Sequence, residues 1–203
     1  MLTRLAACFL SFGLLGNVVA APEAEAPAIT MRAAPEKAAV RKALEKRRAK
    51  NLAAFRSYRK GGVYPHNTWR FGPLNVWIDK QGHLCAAATM IDKDGKHELV
   101  VETGRTNNQI RLMNVTEGAL LDWIMMSGFT IEEIDRIQMP MIGDEGRLPD
   151  EMRDWSAEDA RLRKAYAVTD AWLVKRAKAG LDLATERVLQ NPELAWRLVD
   201  GTL

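Results

Sequence analysis

Cysteine is nearly absent from this chain. Among 203 residues there are two, Cys8 and Cys85. If the first twenty residues are removed on export, one thiol remains and no intramolecular disulfide can form. A packed apolar core must then hold the fold. Histidine is almost as scarce. His66, His83 and His97 are the full set, and no two stand three or four apart as a helical metal pair requires. Asp92-Lys93-Asp94-Gly95 opens like a calcium loop, but the later acidic positions and the closing Glu are missing. No metal site and no cofactor are therefore expected. Beyond residue 19 no apolar run approaches the roughly 20 residues of a membrane-spanning helix. A body-wide excess of one charge is also missing, since the net charge is +3.

The first twenty residues carry the clearest signal. Met1-Leu2-Thr3-Arg4 is short and positive. Leu5 to Val19 is almost wholly apolar, broken by Ser11 and Asn17, and Val18-Val19-Ala20 supplies the small or branched residues a signal peptidase reads. This order predicts a cleavable export signal over 1–20, cut after Ala20, and a periplasmic or extracellular mature protein. Leu5-Ala6-Ala7-Cys8 also spells a lipobox. Only seven residues precede that cysteine, and the stretch after it is apolar, so the lipoprotein reading is the weaker one.

Charge is unevenly placed. Residues 36–60 hold ten Lys and Arg against Glu36 and Glu45, a net of +8, whereas 61–203 carry a net of −5. Residues 21–35, rich in Ala, Pro and Glu, read as a disordered linker. Residues 36–60 read as one basic helix stopped by Gly61-Gly62, with a thin apolar stripe of Val40, Leu44, Leu52, Phe55 and Tyr58 broken by Arg47. Lys42, Lys46, Arg47, Arg48, Lys50 and Arg56 then become candidates for contact with an anionic envelope surface or an acidic partner. Each cation near such a surface contributes about 1 kcal/mol.

Residues 61–140 read as an α+β core domain, and 141–203 as a loop followed by C-terminal helices packing on it. Within the core, 74–78, 83–91 and 97–103 read as three strands of an antiparallel meander, with 108–115 as a fourth. Asp79 to Gly82 and Asp92 to Gly95 supply two similar turns. With Asp79 opposite His83, Trp77 lies opposite Cys85. Thr116 is placed to cap a helix, Thr130-Ile131-Glu132-Glu133 is a capping box, Ser156 to Asp159 resembles another, and Asn191-Pro192 starts a last helix. The two helices of 116–138 are not a DNA reader. The second presents Glu132, Glu133 and Asp135, which phosphates repel, so no nucleic-acid partner is expected.

The run Val76-Trp77-Ile78-Asp79, Gly82, Cys85-Ala86, Leu99-Val100, Asn107-Asn108, Trp123, Ser127-Gly128-Phe129-Thr130, Glu132-Glu133 and Ile137-Gln138 resembles a group of uncharacterised exported bacterial proteins. The resemblance covers about 65 residues, with Phe129 where that group more often has Leu. It implies a domain of this extent and no activity.

Two chemistries follow from the residues. Two apart on a strand, Cys85 and His83 would share a face, the start of a thiol hydrolase or redox site in which imidazole makes thiolate. Against it, Cys85-Ala86-Ala87-Ala88 is a small-residue segment of the kind that packs in a core. Trp69 and Trp77, with Tyr64 and Phe71, could line a carbohydrate or peptide groove. The expectation is a non-catalytic binding or interaction module of the bacterial envelope, with the cysteine-dependent enzyme as the alternative.

Overall fold

The computed structural model describes residues 33–144 and 149–202. The expected export signal over 1–20 and most of the linker over 21–35 lie outside the described residues. No helix among the described residues is long and apolar enough to cross a membrane.

Eight α-helices are present among the described residues: α1 (Lys37–Gly61), α2 (Ala86–Lys93), α3 (His97–Thr106), α4 (Gly118–Met126), α5 (Ile131–Gln138), α6 (Ser156–Lys175), α7 (Ala177–Leu189) and α8 (Pro192–Asp200). Two short strands, β1 (Gly72–Leu74) and β2 (Met141–Gly143), form one antiparallel sheet, with Gly72 opposite Gly143 and Leu74 opposite Met141. The class is α+β, heavily weighted to helix.

The four-strand meander is overturned. The segments expected as its second and third strands are α2 and α3. Their apolar residues fit either period over so short a stretch. Ala86-Ala87-Ala88 favours helix, and the segment is too rich in Ala for a strand surface. One part of the expected hairpin survives. Asp79 N–H donates to the His83 carbonyl at 3.0 Å, Cys85 N–H donates to the Trp77 carbonyl at 2.9 Å, and Ile78 bridges Leu84. Trp77 therefore does stand opposite Cys85, but the chain turns helical one residue later, with Cys85 as the N-cap of α2. On the other side of Ile78, the Asn108 side chain accepts from Ile78 N–H at 3.0 Å and donates to its carbonyl at 2.8 Å, copying a strand edge.

Helix α1 is the axis of the fold. Its buried residues are Val40, Leu44, Arg48, Asn51, Phe55 and Tyr58, spaced three or four apart and hence on one face. Val40 and Leu44 join an apolar cluster with Leu181, Val188, Leu194 and Leu198 of α7 and α8. Phe55 and Tyr58 join the larger cluster with Trp77, Met90, Ile91, Phe129, Ile134 and Tyr166. Arg48 and Asn51 lie at the junction. The Arg48 guanidinium donates to both Glu133 oxygens at 2.8 Å, and to the carbonyls of Gly128 and Leu173 at 3.0 Å. It also stands 4.5 Å from the centre of the Phe129 ring. Asn51 donates to the Ser127 carbonyl at 2.9 Å.

Two glycines let the chain close on this junction. Gly128 has φ of +84°, and a methyl group there would stand 2.5 Å from the Leu44 carbonyl oxygen. Gly180 lies inside α7, where a methyl group would meet a Glu133 oxygen at 2.6 Å. The helix that opens at Ser156 breaks at Arg176, and Gly180 allows α7 a close approach to Glu133. The Thr130–Glu133 capping box is present, and Asn191 caps α8 with Pro192 in its first turn. Glu117, not Thr116, precedes α4, and Trp155, without a side-chain cap, precedes α6.

Glu133→Gln should lower unfolding free energy by about 3–5 kcal/mol in urea titration, because it leaves a buried guanidinium without its counter-charge. The double change Arg48→Met with Glu133→Leu should recover most of that loss. Gly180→Ala should cost about 1–3 kcal/mol by overpacking against the same carboxylate.

Candidate functional site

The Cys85 thiol is 1% exposed and caps α2, accepting from Ala88 N–H at 3.4 Å. Burial pushes it up to about 12, against the lowering effect of the helix's first N–H groups. It shares the core with Tyr58 and Tyr166, whose phenols burial also drives above their ordinary range. A thiol in this state supplies almost no thiolate at neutral pH. His83 is held elsewhere. Its Nδ1 lies 2.9 Å from Asp79 Oδ2, and the Asp79 carboxylate also accepts from the N–H groups of Gln81, His83 and His66. That is a turn organised by a carboxylate, not a base facing a nucleophile. The other histidines follow suit, with His66 Nε2 3.0 Å from Asp159 and His97 Nδ1 2.8 Å from Asp92. The structure thus separates the expected Cys85–His83 pair. Among the described residues no group of three or more His, Cys, Asp or Glu is placed to hold a metal.

The basic residues of α1 are mostly engaged within the chain. Arg48 is buried, as described. Arg47 makes a two-point ion pair with Asp94, Lys50 reaches the same carboxylate at 2.7 Å, and Arg56 and Arg59 share Asp170. Lys37 pairs with Glu186 and Arg41 with Asp182. Lys42, Lys46 and Lys60 are exposed and have no ion pair among the described residues. A helix read as a charged arm is therefore a central strut, and its charge is answered by acids of the surrounding helices. Trp77 is fully buried, with its indole N–H donating to the Val100 carbonyl at 2.9 Å, so it lines no groove. Trp69 is 42% exposed and Phe71 71% exposed.

A cleft among the described residues holds about 530 Å³, within the usual range for small-ligand sites. Its walls are the turn and first residues of α3 (Gly95 to Leu99), one face of α4 (Ala119, Asp122, Trp123, Met126), Arg47 of α1 and Arg197 of α8. Asp94 stands behind this lining and accepts from Arg47 and the Trp123 indole. Burial opposes its ionisation, but hydrogen bonds from Lys50, Arg47 and the Trp123 indole hold its carboxyl below the ordinary range. On the far wall Arg197 donates to Asp122 at 2.8 Å. Two guanidinium groups are thus positioned by carboxylates and keep further N–H groups to offer.

The rim at α3 adds donors. Lys96 occupies the N-cap position and no side chain caps the helix, so the N–H groups of His97, Glu98 and Leu99 have no acceptor among the described residues. Sequence reasoning singled out Arg47 here and missed Lys96, Trp123 and Arg197. One signal was legible. The helices starting near 131 and 192 carry Thr and Asn caps, whereas the segment after Gly95 begins Lys-His-Glu, without one. What brings Trp123 and Arg197 to the same cleft is tertiary packing.

Comparison of the chain with protein families, with curated proteins and with solved structures found no match.

Native protein at neutral pH should leave Cys85 unreacted with a disulfide thiol reagent for hours, and Cys85 should react promptly on denaturation. Fast native reaction would restore the cysteine chemistry. Asp94, held low in the folded state, contributes stability that is present above the ordinary carboxyl range and lost as pH falls through its folded value. The acid unfolding curve of Asp94→Asn should accordingly be flatter than that of the parent as pH falls through and below the ordinary carboxyl range.

Proposed function

We propose that this chain is a non-catalytic binding module of the bacterial envelope, exported by the signal expected over residues 1–20, whose ligand is a small molecule with an anionic group on an apolar body. The observation that carries the reading is the 530 Å³ cleft in which Arg47, Lys96 and Arg197 stand with the uncapped start of α3 around the apolar surface of Trp123, Leu99 and Met126. Arg47 and Arg197 are balanced by Asp94 and Asp122, and Lys96 by Glu98 on the same wall, so the cleft has no large net field. Selection by sign comes from directional donors: the three N–H groups of α3 and the unused edges of the two guanidinium groups. The ring of Trp123 and the side chains of Leu99 and Met126 suit the apolar part of the ligand.

A wider contact between residues 36–60 and an anionic surface is carried by Lys42, Lys46 and Lys60, the cations of α1 that make no ion pair among the described residues. At about 1 kcal/mol each this is a weak, salt-sensitive contact. The cysteine enzyme is the poorer reading, because the thiol is buried and protonated and has no imidazole on it.

Amide NMR titration with benzoate and with inorganic phosphate tests the cleft. Benzoate should give saturable shifts at His97, Glu98, Leu99 and the Trp123 indole, and phosphate weaker shifts at the same amides. Arg197→Gln and Lys96→Gln should each weaken benzoate binding by about tenfold, the equivalent of one charge-assisted hydrogen bond. Shifts that never saturate, or that centre on Lys42 and Lys46 instead, overturn the reading.

A further inference from the structure

The outer face of α6 is short of the groups that usually meet water. Beyond Ser156, every exposed residue of this helix is Ala, Val, Lys or Arg. Lys164, Val168, Ala171 and Lys175 are spaced four, three and four apart and so line one stripe, with Arg163 and Val174 on its flank. Val168 is 54% exposed and Val174 52% exposed.

Each acid of α6 is already engaged. Glu158 pairs with Arg161, Asp159 with His66, and Asp170 with Arg56 and Arg59. Arg163, Lys164 and Lys175 make no ion pair among the described residues, and neither does Lys178, exposed at the start of α7. A methyl group at Gly62 would stand 2.6 Å from an Arg163 guanidinium nitrogen, so the end of α1, with Lys60, lies beside Arg163. At the other edge the half-buried Trp172 adjoins Val168 and Lys175 in the helical repeat. Arg136 and Arg176 stand 4.5 and 4.6 Å from the centre of its ring. Arg176 pairs with Glu132, whereas Arg136 is exposed and makes no ion pair among the described residues.

This composition selects among partners. A second copy of the chain is disfavoured, because two such faces packed together bring lysine against lysine. Nucleic acids are held by uncharged donors as well as cations, and apart from Ser156 the exposed residues of α6 supply none. Protein interfaces are depleted in Lys and Ala, which dominate here. A bilayer surface is met by this mixture. Valine and alanine enter the headgroup layer, while the Lys and Arg stems lie along it and hold their charges among the lipid phosphates. An indole at the edge suits the same boundary, apolar on one side and wet on the other.

We infer that the outer face of α6 docks on a bilayer surface rich in anionic phospholipid, with the helix lying along the headgroup layer over about 30 Å. The contact is peripheral and reversible. Each cation near the lipid strengthens it by about fivefold, and salt weakens it. The inference stands apart from the ligand proposed for the cleft, whose walls contain no residue of α6.

The test is co-sedimentation of the mature chain with vesicles. Vesicles of equal parts phosphatidylglycerol and phosphatidylcholine should retain it at low salt and release most of it at physiological salt, and phosphatidylcholine alone should retain little. Lys164→Gln with Lys175→Gln should weaken retention by about twentyfold. Val168→Gln with Val174→Gln leaves the charge unchanged and should weaken it by about fivefold. All four residues are exposed, so both variants should keep the parent fold. Lys42→Gln with Lys46→Gln, on α1, should cost less than the α6 lysine pair. Arg197→Gln, in the cleft, should be retained like the parent, so failure of the cleft reading and failure of this one are told apart. Three results would each overturn the inference. One is no retention on the anionic vesicles, and another is a larger loss from the α1 pair than from the α6 lysine pair. The third is parent-like retention of the valine variant, the sign of a purely electrostatic contact such as an acidic protein would accept.

Discussion

One buried ion pair organises the molecule. Arg48 of α1 and Glu133 of α5 meet between the two apolar clusters, and every donor and acceptor around them comes from a different part of the chain: Gly128 from the α4–α5 turn, Leu173 from the end of α6, Thr130 from the cap of α5. Such a pair is a poor source of net stability, since desolvating two charges offsets most of their attraction. It is a strict source of geometry. The Glu133 carboxylate must cap α5 and receive a guanidinium at once, and that fixes the angle at which α1 crosses α5. Asn51, bound to the Ser127 carbonyl one turn further along, fixes the same contact from the other side.

The rest of the architecture follows from letting backbones approach this centre. Gly128 brings the α4–α5 turn onto the α1 backbone, and Gly180 lets α7 slide over the Glu133 carboxylate. Once α7 is seated, α8 folds back on α1, and Leu181, Val188, Leu194 and Leu198 close the second cluster around Val40 and Leu44. The same placement sets α8 beside α4 and presents Arg197 to Asp122. The cleft is thus a by-product of how two helix pairs meet on one strut. Its polar groups are held by ion pairs that were already needed to keep Asp94 and Asp122 from being left without partners.

The cleft is built on helices, with donors held by carboxylates, so its selectivity would be geometric and its cost of ordering small.

How much was legible in the residues depended on whether a signal was local. The Thr130–Glu133 box, the Asn191 cap, the stop of α1 at Gly61-Gly62 and the turn that sets Trp77 opposite Cys85 are all short-range events, and each is where the residues placed it. The segments at 83–91 and 97–103 are not legible locally, because a few apolar residues fit both a strand and a helix, and only the packing of α2 against α1 and α5, and of α3 against α2, decides between them. Arg48 reads as a surface contact for a related reason: a polar side chain on a helix gives no sign of the buried partner awaiting it eighty residues away.

The sequence by itself determined where α1 stops and where α5 and α8 begin, the scarcity of cysteine, and the concentration of positive charge in residues 36–60. Only the tertiary structure decided what that charge is for. Ion pairing depends on distance in space, not along the chain, and the acids that neutralise Arg47, Arg48 and Arg56 lie 47, 85 and 114 residues further on. Packing turned a basic rod into the internal strut of the fold, left Cys85 in the core away from any imidazole, and assembled a cleft from four helices that no stretch of residues announces.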